Sequence, residues 1–154
     1  MGPQWSGALD PGTYYVVFET VTEGPITFTV QHIPVAGTGT ALAAGPFTLM
    51  GTTIGATHSP DSCGAGPDRH FYWTTCPTDA GGTLTASTCT GASCDTVAQL
   101  RNGGGTGGGC IDNTCGTQSA LRATVPAGSG LHVLFVDGAS DSASGAYTLR
   151  GSRP

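Results

Sequence analysis

The sequence predicts an all-β fold, a jelly-roll-like antiparallel β-sandwich with an extra β-hairpin at its N-terminus. Three observations predict it. Short apolar runs recur at intervals of about 8–12 residues between Gly- and Pro-containing turns, the rhythm of sandwich strands. The chain holds 26 glycines, two Glu and no Lys, which leaves little from which to build a solvated helix face. Finally, the stretch Leu131–Gly138, a polar loop and Ser144–Leu149 have an earlier counterpart in Tyr14–Glu19 and Gly24–Phe28. A repeat at that distance is the length of a domain, so the chain reads as the tail of one domain followed by one complete domain.

Taken in order, residues 12–20 are apolar on both faces (Tyr14, Val16 and Phe18 against Tyr15 and Val17), as in a strand covered on both sides. Residues 24–31 alternate Ile26, Phe28 and Val30 with Thr27, Thr29 and Gln31, the pattern of a half-buried strand, and Gly24-Pro25 marks the turn. Residues 1–35 are therefore expected to be the C-terminal hairpin of a preceding repeat, or a donor or edge hairpin. Residues 36–154 are expected to be a complete sandwich. The Gly/Pro/Ala-rich passage 33–46 reads as the junction between the two. Phe47–Met50 and Thr52–Ile54 suit edge strands, and 56–67 is a loop holding Cys63. His70–Thr74 follows, with Phe71 and Trp73 on its core face, and then Thr83–Ser87, Asp95–Arg101, Leu121–Val125 and a closing hairpin over 131–149. The glycine run after Asn102 lacks the Gly-Lys-Ser/Thr ending of a phosphate loop and reads as a flexible hairpin loop.

Charge narrows the partners. Charged residues make up 10% of the chain, against about 25% in an average protein. The five basic residues are all Arg and the net charge is −5, so there is no basic patch for nucleic acid. No apolar stretch approaches the roughly 18 residues that a membrane span needs. The opening Met-Gly-Pro-Gln-Trp has no basic region and no apolar run, so it is not read as a signal peptide. Six cysteines (Cys63, Cys76, Cys89, Cys94, Cys110 and Cys115) point to disulfides in an oxidising compartment, three intramolecular bonds in all. Zinc would call for Cys-x-x-Cys spacing, which none of them has. Cys89–Cys94 and Cys110–Cys115 are local loop closures, Cys63 and Cys76 bracket one strand, and the glycine loop equally allows Cys89 or Cys94 to reach Cys110. The pairing stays open at this point.

Five motifs in order carry a resemblance: Cys63-Gly-Ala-Gly-Pro67-Asp68 leading to Tyr72-Trp73, Thr83–Cys89, Asp95-Thr96-Val97, Cys110-Ile-Asp112-Asn113-Thr-Cys115, and Val136-Asp137-Gly138 with Ser144–Leu149. Together they resemble the bacterial pre-peptidase C-terminal domains, in the Cys-rich tandem form found in large secreted proteins. The resemblance spans 36–154, and 9–33 as the last hairpin of a preceding copy. It implies a jelly-roll-like sandwich on a secreted or cell-surface bacterial protein. Such a domain is non-catalytic and assists a parent extracellular enzyme or binds a polymer such as collagen or chitin. Some members bind calcium.

Candidate sites follow from the residues. Asp95, Asp112 and Asp137 approach one another at strand ends, and Asp112-Asn113 is the best seed for calcium, with Asp95 as a further ligand. Calcium takes about six to eight oxygens. The same Asp and Asn types equally cap turns through their own backbone. No other cofactor is expected. His32, His58, His70 and His132 show no paired ligand spacing, and His70 and His132 read as half-exposed strand residues. Trp73, Tyr72, Tyr14, Tyr15 and Tyr147 are either core or a sugar-stacking platform. No nucleophile elbow or acid/base constellation is visible, so the chain is not expected to be an enzyme. The functional expectation is a secreted accessory or adhesive module. Its alternative is a homopolymeric subunit of an extracellular fibre, with Tyr14, Val16, Phe18, Ile26, Phe28 and Val30 completing a neighbour's sheet.

Overall fold

Alternation along each strand decides what faces inward, and Phe71 and Trp73, two apart on one strand, fix the inner side of the first sheet. A computed structural model describes residues 17, 22–27, 39–60, 62–75, 78–102, 109–128 and 130–154. Its strands are β1 (Thr40–Ala41), β2 (Gly45–Thr52), β3 (Asp68–Thr75), β4 (Gly82–Ser87), β5 (Thr96–Asn102), β6 (Ile111–Asp112), β7 (Ala120–Val125), β8 (Gly130–Gly138) and β9 (Ala146–Arg153). No helix occurs among the described residues. One sheet runs β1-β3-β8-β5-β6 and the other β2-β9-β4-β7. The pairings are antiparallel except for the short parallel contact of β1 with β3. The fold is an all-β sandwich. Phe71, Trp73, Leu100, Leu134 and Val136 from the first sheet meet Leu84, Leu121, Val125, Tyr147 and Leu149 from the second in a single buried core.

Two expectations change. The stretch 131–149 is not a hairpin, because β8 and β9 lie in different sheets. β8 already has β3 and β5 on its two edges, so no ladder position is left for the residues that follow. Tyr147 and Leu149 bury their apolar side instead by crossing to the second sheet and facing Leu134 and Val136 through the core. The crossing is pinned at Gly145, whose carbonyl accepts from the Thr53 amide (3.0 Å) and whose amide donates to Thr53 Oγ1 (3.1 Å). The second change concerns the junction read into 33–46. Its described part belongs to the sandwich: β1 pairs with β3, and Leu42 is 4% exposed in the core with its amide bonded to the Tyr72 carbonyl (2.8 Å). Of the expected N-terminal hairpin, Val17 and 22–27 are described and none is in a strand; Val17 and Ile26 are exposed. Tyr14, Val16, Phe18, Phe28 and Val30 lie outside the described residues.

β9 sits between β2 and β4, and Gly151 is where all three backbones crowd, opposite Phe47 on one side and Ala86 on the other. A Cβ there would collide with the Thr85 carbonyl and come within 2.6 Å of the Phe47 ring.

His132 departs from its half-exposed expectation: it is 1% exposed and sits at the far end of the core. Its ring stacks on Trp73 with centroids 5.1 Å apart, and Arg153 lies over the same indole at 5.5 Å. Nδ1 donates to Asn102 Oδ1 (2.8 Å), while Nε2 lies 3.1 Å from the Thr75 hydroxyl. Burial, helped by the Arg153 charge, pushes its pKa below the ordinary histidine value. The folded state therefore holds the neutral ring, while the unfolded chain takes up a proton near the ordinary value of about 6.5.

Two outcomes follow. Leu134→Ala should cost about 2–5 kcal/mol in denaturant unfolding, and Gly151→Ala at least about 1–3 kcal/mol by overcrowding; a neutral Gly151→Ala would contradict the packing at β9. His132's contribution is complete above pH 6.5 or so and is lost as pH falls, so melting temperature measured from pH 7 to 5 should drop less steeply in His132→Gln than in the parent.

Candidate metal centre beneath the loop between β2 and β3

Asp68 opens β3 and Asp137 is the last residue but one of β8, and the two stand directly opposite in the ladder. Phe71, Trp73, Leu134 and Val136 point into the core, so alternation puts both carboxylates on the outer face of the five-stranded sheet. An outer face is normally wet. Here Asp68 is 6% and Asp137 1% exposed, because the chain between β2 and β3 folds down over them.

That loop is held by backbone and covalent bonds. Gly66 donates to the Gly138 carbonyl (3.0 Å), Gly138 to the Pro67 carbonyl (3.3 Å) and Asp68 to the Thr57 carbonyl (3.3 Å). The Ser62 hydroxyl donates to the Ser59 carbonyl (2.8 Å). A disulfide joins Cys63 to Cys110, Cα to Cα 5.9 Å, fastening the loop to the segment that enters β6. Gly64 lies flat on the site: a Cβ there would stand 2.5 Å from the Asp137 carboxylate. Only glycine lets the backbone come that close.

The result brings one ligand atom each from His58, Asp68 and Asp137 within 4.8 Å of one another. Asp68 is served by the Ser59 amide, by the Ser62 hydroxyl at 3.3 Å, and by His70 Nδ1 at 3.9 Å. Asp137 is served less well: both of its oxygens are buried and neither receives a hydrogen bond of good geometry, the Ser62 hydroxyl and the Gly64 amide making at most weak ones. Burial raises its pKa, and the Asp68 charge adds to this, while the nearby Ser62, Gly64 and His58 partly offset the rise.

The expected calcium residues stand elsewhere. Register places Asp68, Asp137, Val97 and Asp112 in one row across the sheet. Asp112 is thus two strands from Asp137, about 10 Å at roughly 4.8 Å per strand, and is not part of the cluster. Asp112 and Asn113 are exposed, and Asn113 takes a positive φ of 53°, which suits the turn-forming role of Asn. Asp95 is half-buried before β5, and its carbonyl accepts from the Ala139 amide (3.3 Å). Among the described residues, neither Asp95 nor Asp112 joins a three-ligand cluster. His58 had no signal in its spacing. The legible clue was that Pro67-Asp68 begins one strand and Val136-Asp137-Gly138 ends another, which become opposed once the strands pair.

The cysteine pairing also resolves. Cys63–Cys110 and Cys89–Cys115 are bonded, rather than the two local closures. Thr88 docks on the turn that follows Cys115, its amide (3.0 Å) and hydroxyl (3.2 Å) both reaching the Ser119 carbonyl, and this carries Cys89 to Cys115 instead of Cys94. Among the described residues Cys94 is unpaired; Cys76, and with it the expected third bond, lies outside them. Burial raises the Cys94 thiol pKa, as does the Asp95 charge, against a smaller opposing pull from Thr53.

Ser62, His58 and Asp68 are close but are not a catalytic triad. The Ser62 hydroxyl proton is engaged by the Ser59 carbonyl, with Asp68 a longer alternative acceptor, and the His58 Nδ1 that faces Ser62 at 3.4 Å also lies 3.2 Å from the Gly66 carbonyl. The open surface is different in kind. A cleft of about 320 Å³ at the seam of the two sheets is lined by Leu49, Met50, Arg69, His70, Phe71 and Tyr147, among others. Comparison with family models, with curated proteins and with solved structures finds no match.

Peptide mapping without reduction should recover Cys63 linked to Cys110 and Cys89 linked to Cys115, and Cys94 should take an alkylating label. Recovery of Cys89–Cys94 or Cys110–Cys115 would refute the pairing. Each loop closure is worth about 3–4 kcal/mol in the chain-entropy view, so reduction should lower the melting temperature sharply.

Proposed function

We propose that this chain is a secreted, non-catalytic β-sandwich module that binds an extracellular polymer, alone or on behalf of a parent enzyme. One contrast carries the reading. The ionisable cluster is roofed by a disulfide-tied loop, whereas the cleft that stays open combines Leu49, Met50, Phe71 and Tyr147 with the polar Thr40, Thr52, Arg69 and His70. Reacting groups need access to substrate, and binding surfaces need rigid, mainly apolar contact area with a few polar anchors. Met50, 86% exposed on β2, and the Arg69 side chain, tied by Nε to the Thr52 carbonyl (3.0 Å), supply these at the cleft rim. Two disulfides across separate loops fit an oxidising compartment outside the cytosol. The motif resemblance to pre-peptidase C-terminal domains supports the same role.

A second reading has its own observation. β2, eight residues long, is the outer strand of its sheet among the described residues, and no described strand pairs with its far edge, which a strand from another copy would fit. The apolar residues of 14–30 are the donor in that reading, and the assembly would be a head-to-tail fibre.

Co-sedimentation with insoluble chitin and collagen, run beside light scattering and electron microscopy, separates the two. Binding that Met50→Ala and Arg69→Ala each weaken severalfold, by a monomer, supports the module. Filaments with no polymer binding support the fibre subunit and sink the first reading.

A further inference from the structure

Asp68 and Asp137 present an electrostatic problem that the described side chains leave unsolved. Two carboxylates face each other across one ladder step in a water-poor site, and like charges so placed cannot both stay ionised without compensation. Asp68 has neutral donors. Asp137 has no donor in good geometry on either oxygen, although it is almost wholly enclosed, and one of its oxygens belongs to a group in which His58 offers a ring nitrogen and Asp68 an oxygen. An ionised carboxylate left that way costs several kcal/mol, so the site calls for a positive charge or a proton. Arg69, although it follows Asp68 in sequence, directs its Nε to the Thr52 carbonyl and does not supply that charge.

We propose that His58, Asp68 and Asp137 bind a divalent transition ion, zinc or manganese, which locks the loop between β2 and β3 onto the sheet. The donor set argues for that class over calcium. Imidazole suits zinc, for which one nitrogen and two carboxylate oxygens plus water make a normal shell, while manganese, a harder ion, would rely chiefly on the two carboxylates. Calcium asks for about six to eight oxygens, and this pocket, crowded by Gly64, brings carboxylates from only two residues. Access is present as well: His58 is exposed, so the ion enters from its side, and the net charge of −5 favours cations near the chain. The ion bridges a loop residue to one residue on each of two strands, so it closes the loop noncovalently where Cys63–Cys110 closes it covalently. This assignment stands apart from the polymer-binding reading, since neither His58, Asp68 nor Asp137 lines the open cleft.

The test uses the full chain with Cys76 and Cys94 replaced by Ser, so that thiols do not bind metal, after stripping with a chelator. Titration calorimetry with zinc, manganese and calcium chlorides should show one zinc or manganese ion per chain. Saturation at about a hundredfold over Kd should raise the melting temperature by roughly 5–10 °C. Asp137→Asn should weaken binding at least tenfold, while its metal-free form melts no lower than the metal-free parent, because the substitution removes the repulsion with Asp68. His58→Ala, at an exposed position, should also weaken binding at least tenfold, and Asp112→Asn should leave it unchanged. Three results would each overturn the assignment. They are no stoichiometric uptake of zinc or manganese, in which case a proton resolves the carboxylate pair; uptake undiminished in both Asp137→Asn and His58→Ala; or binding of calcium alone.

Discussion

The structure depends on β8 being buried on both of its faces. Its inner side, Leu134 and Val136, is the centre of the hydrophobic core, and its outer side carries Phe135 and Asp137, both as deeply enclosed. Burying the inner side is the ordinary hydrophobic effect, about 25 cal/mol for each Å² of apolar surface. Burying the outer side requires a second cover. His70 packs on Phe135 at 5.7 Å, and the loop between β2 and β3 covers the carboxylate end. The disulfide, Gly64 lying on Asp137 and the position of His58 are all consequences of roofing the C-terminal half of β8, whose outer face is buried at Phe135 and Asp137 and only half-buried at Leu131 and Val133.

Once β8 is central, the rest of the topology is constrained. Its two ladder edges are taken by β3 and β5, so the chain that leaves it has to change sheets, and Gly145 bonded to Thr53 is the anchor of that change. β2 then closes the second sheet on one side. The cleft opens at the seam where β2 and β3 come from different sheets.

Much of this was legible in the residues. The strand positions followed from alternation, and Phe71 and Trp73 on the core face followed from the aromatic spacing. Pairing across space was not legible. Ser144–Leu149 alternates as a hairpin partner would, and nothing local says that β8 has no free edge. Cys89 is nearest in sequence to Cys94, but its partner is chosen by Thr88 docking on Ser119, a contact between distant segments. The acid residues show the same limit. Asp112 and Asn113 are neighbours in the sequence, whereas Asp68 and Asp137 are neighbours only in the folded ladder. His132 follows the same rule: a histidine on an alternating strand has an amphipathic pattern, and it is Trp73, Asn102 and Thr75 together that make its burial tolerable.

The place of β9 has a consequence for the order of assembly. It runs between β2 and β4, which have no direct pairing with each other, and it comes after both in the chain. During synthesis, β2 emerges far ahead of Ala146–Arg153 and has to wait, with its apolar side uncovered, until the strand that will join it to β4 is made. The second sheet therefore closes only after residue 153 is available, so the eight-residue edge of β2 stays unpaired with β9 while about a hundred further residues are made.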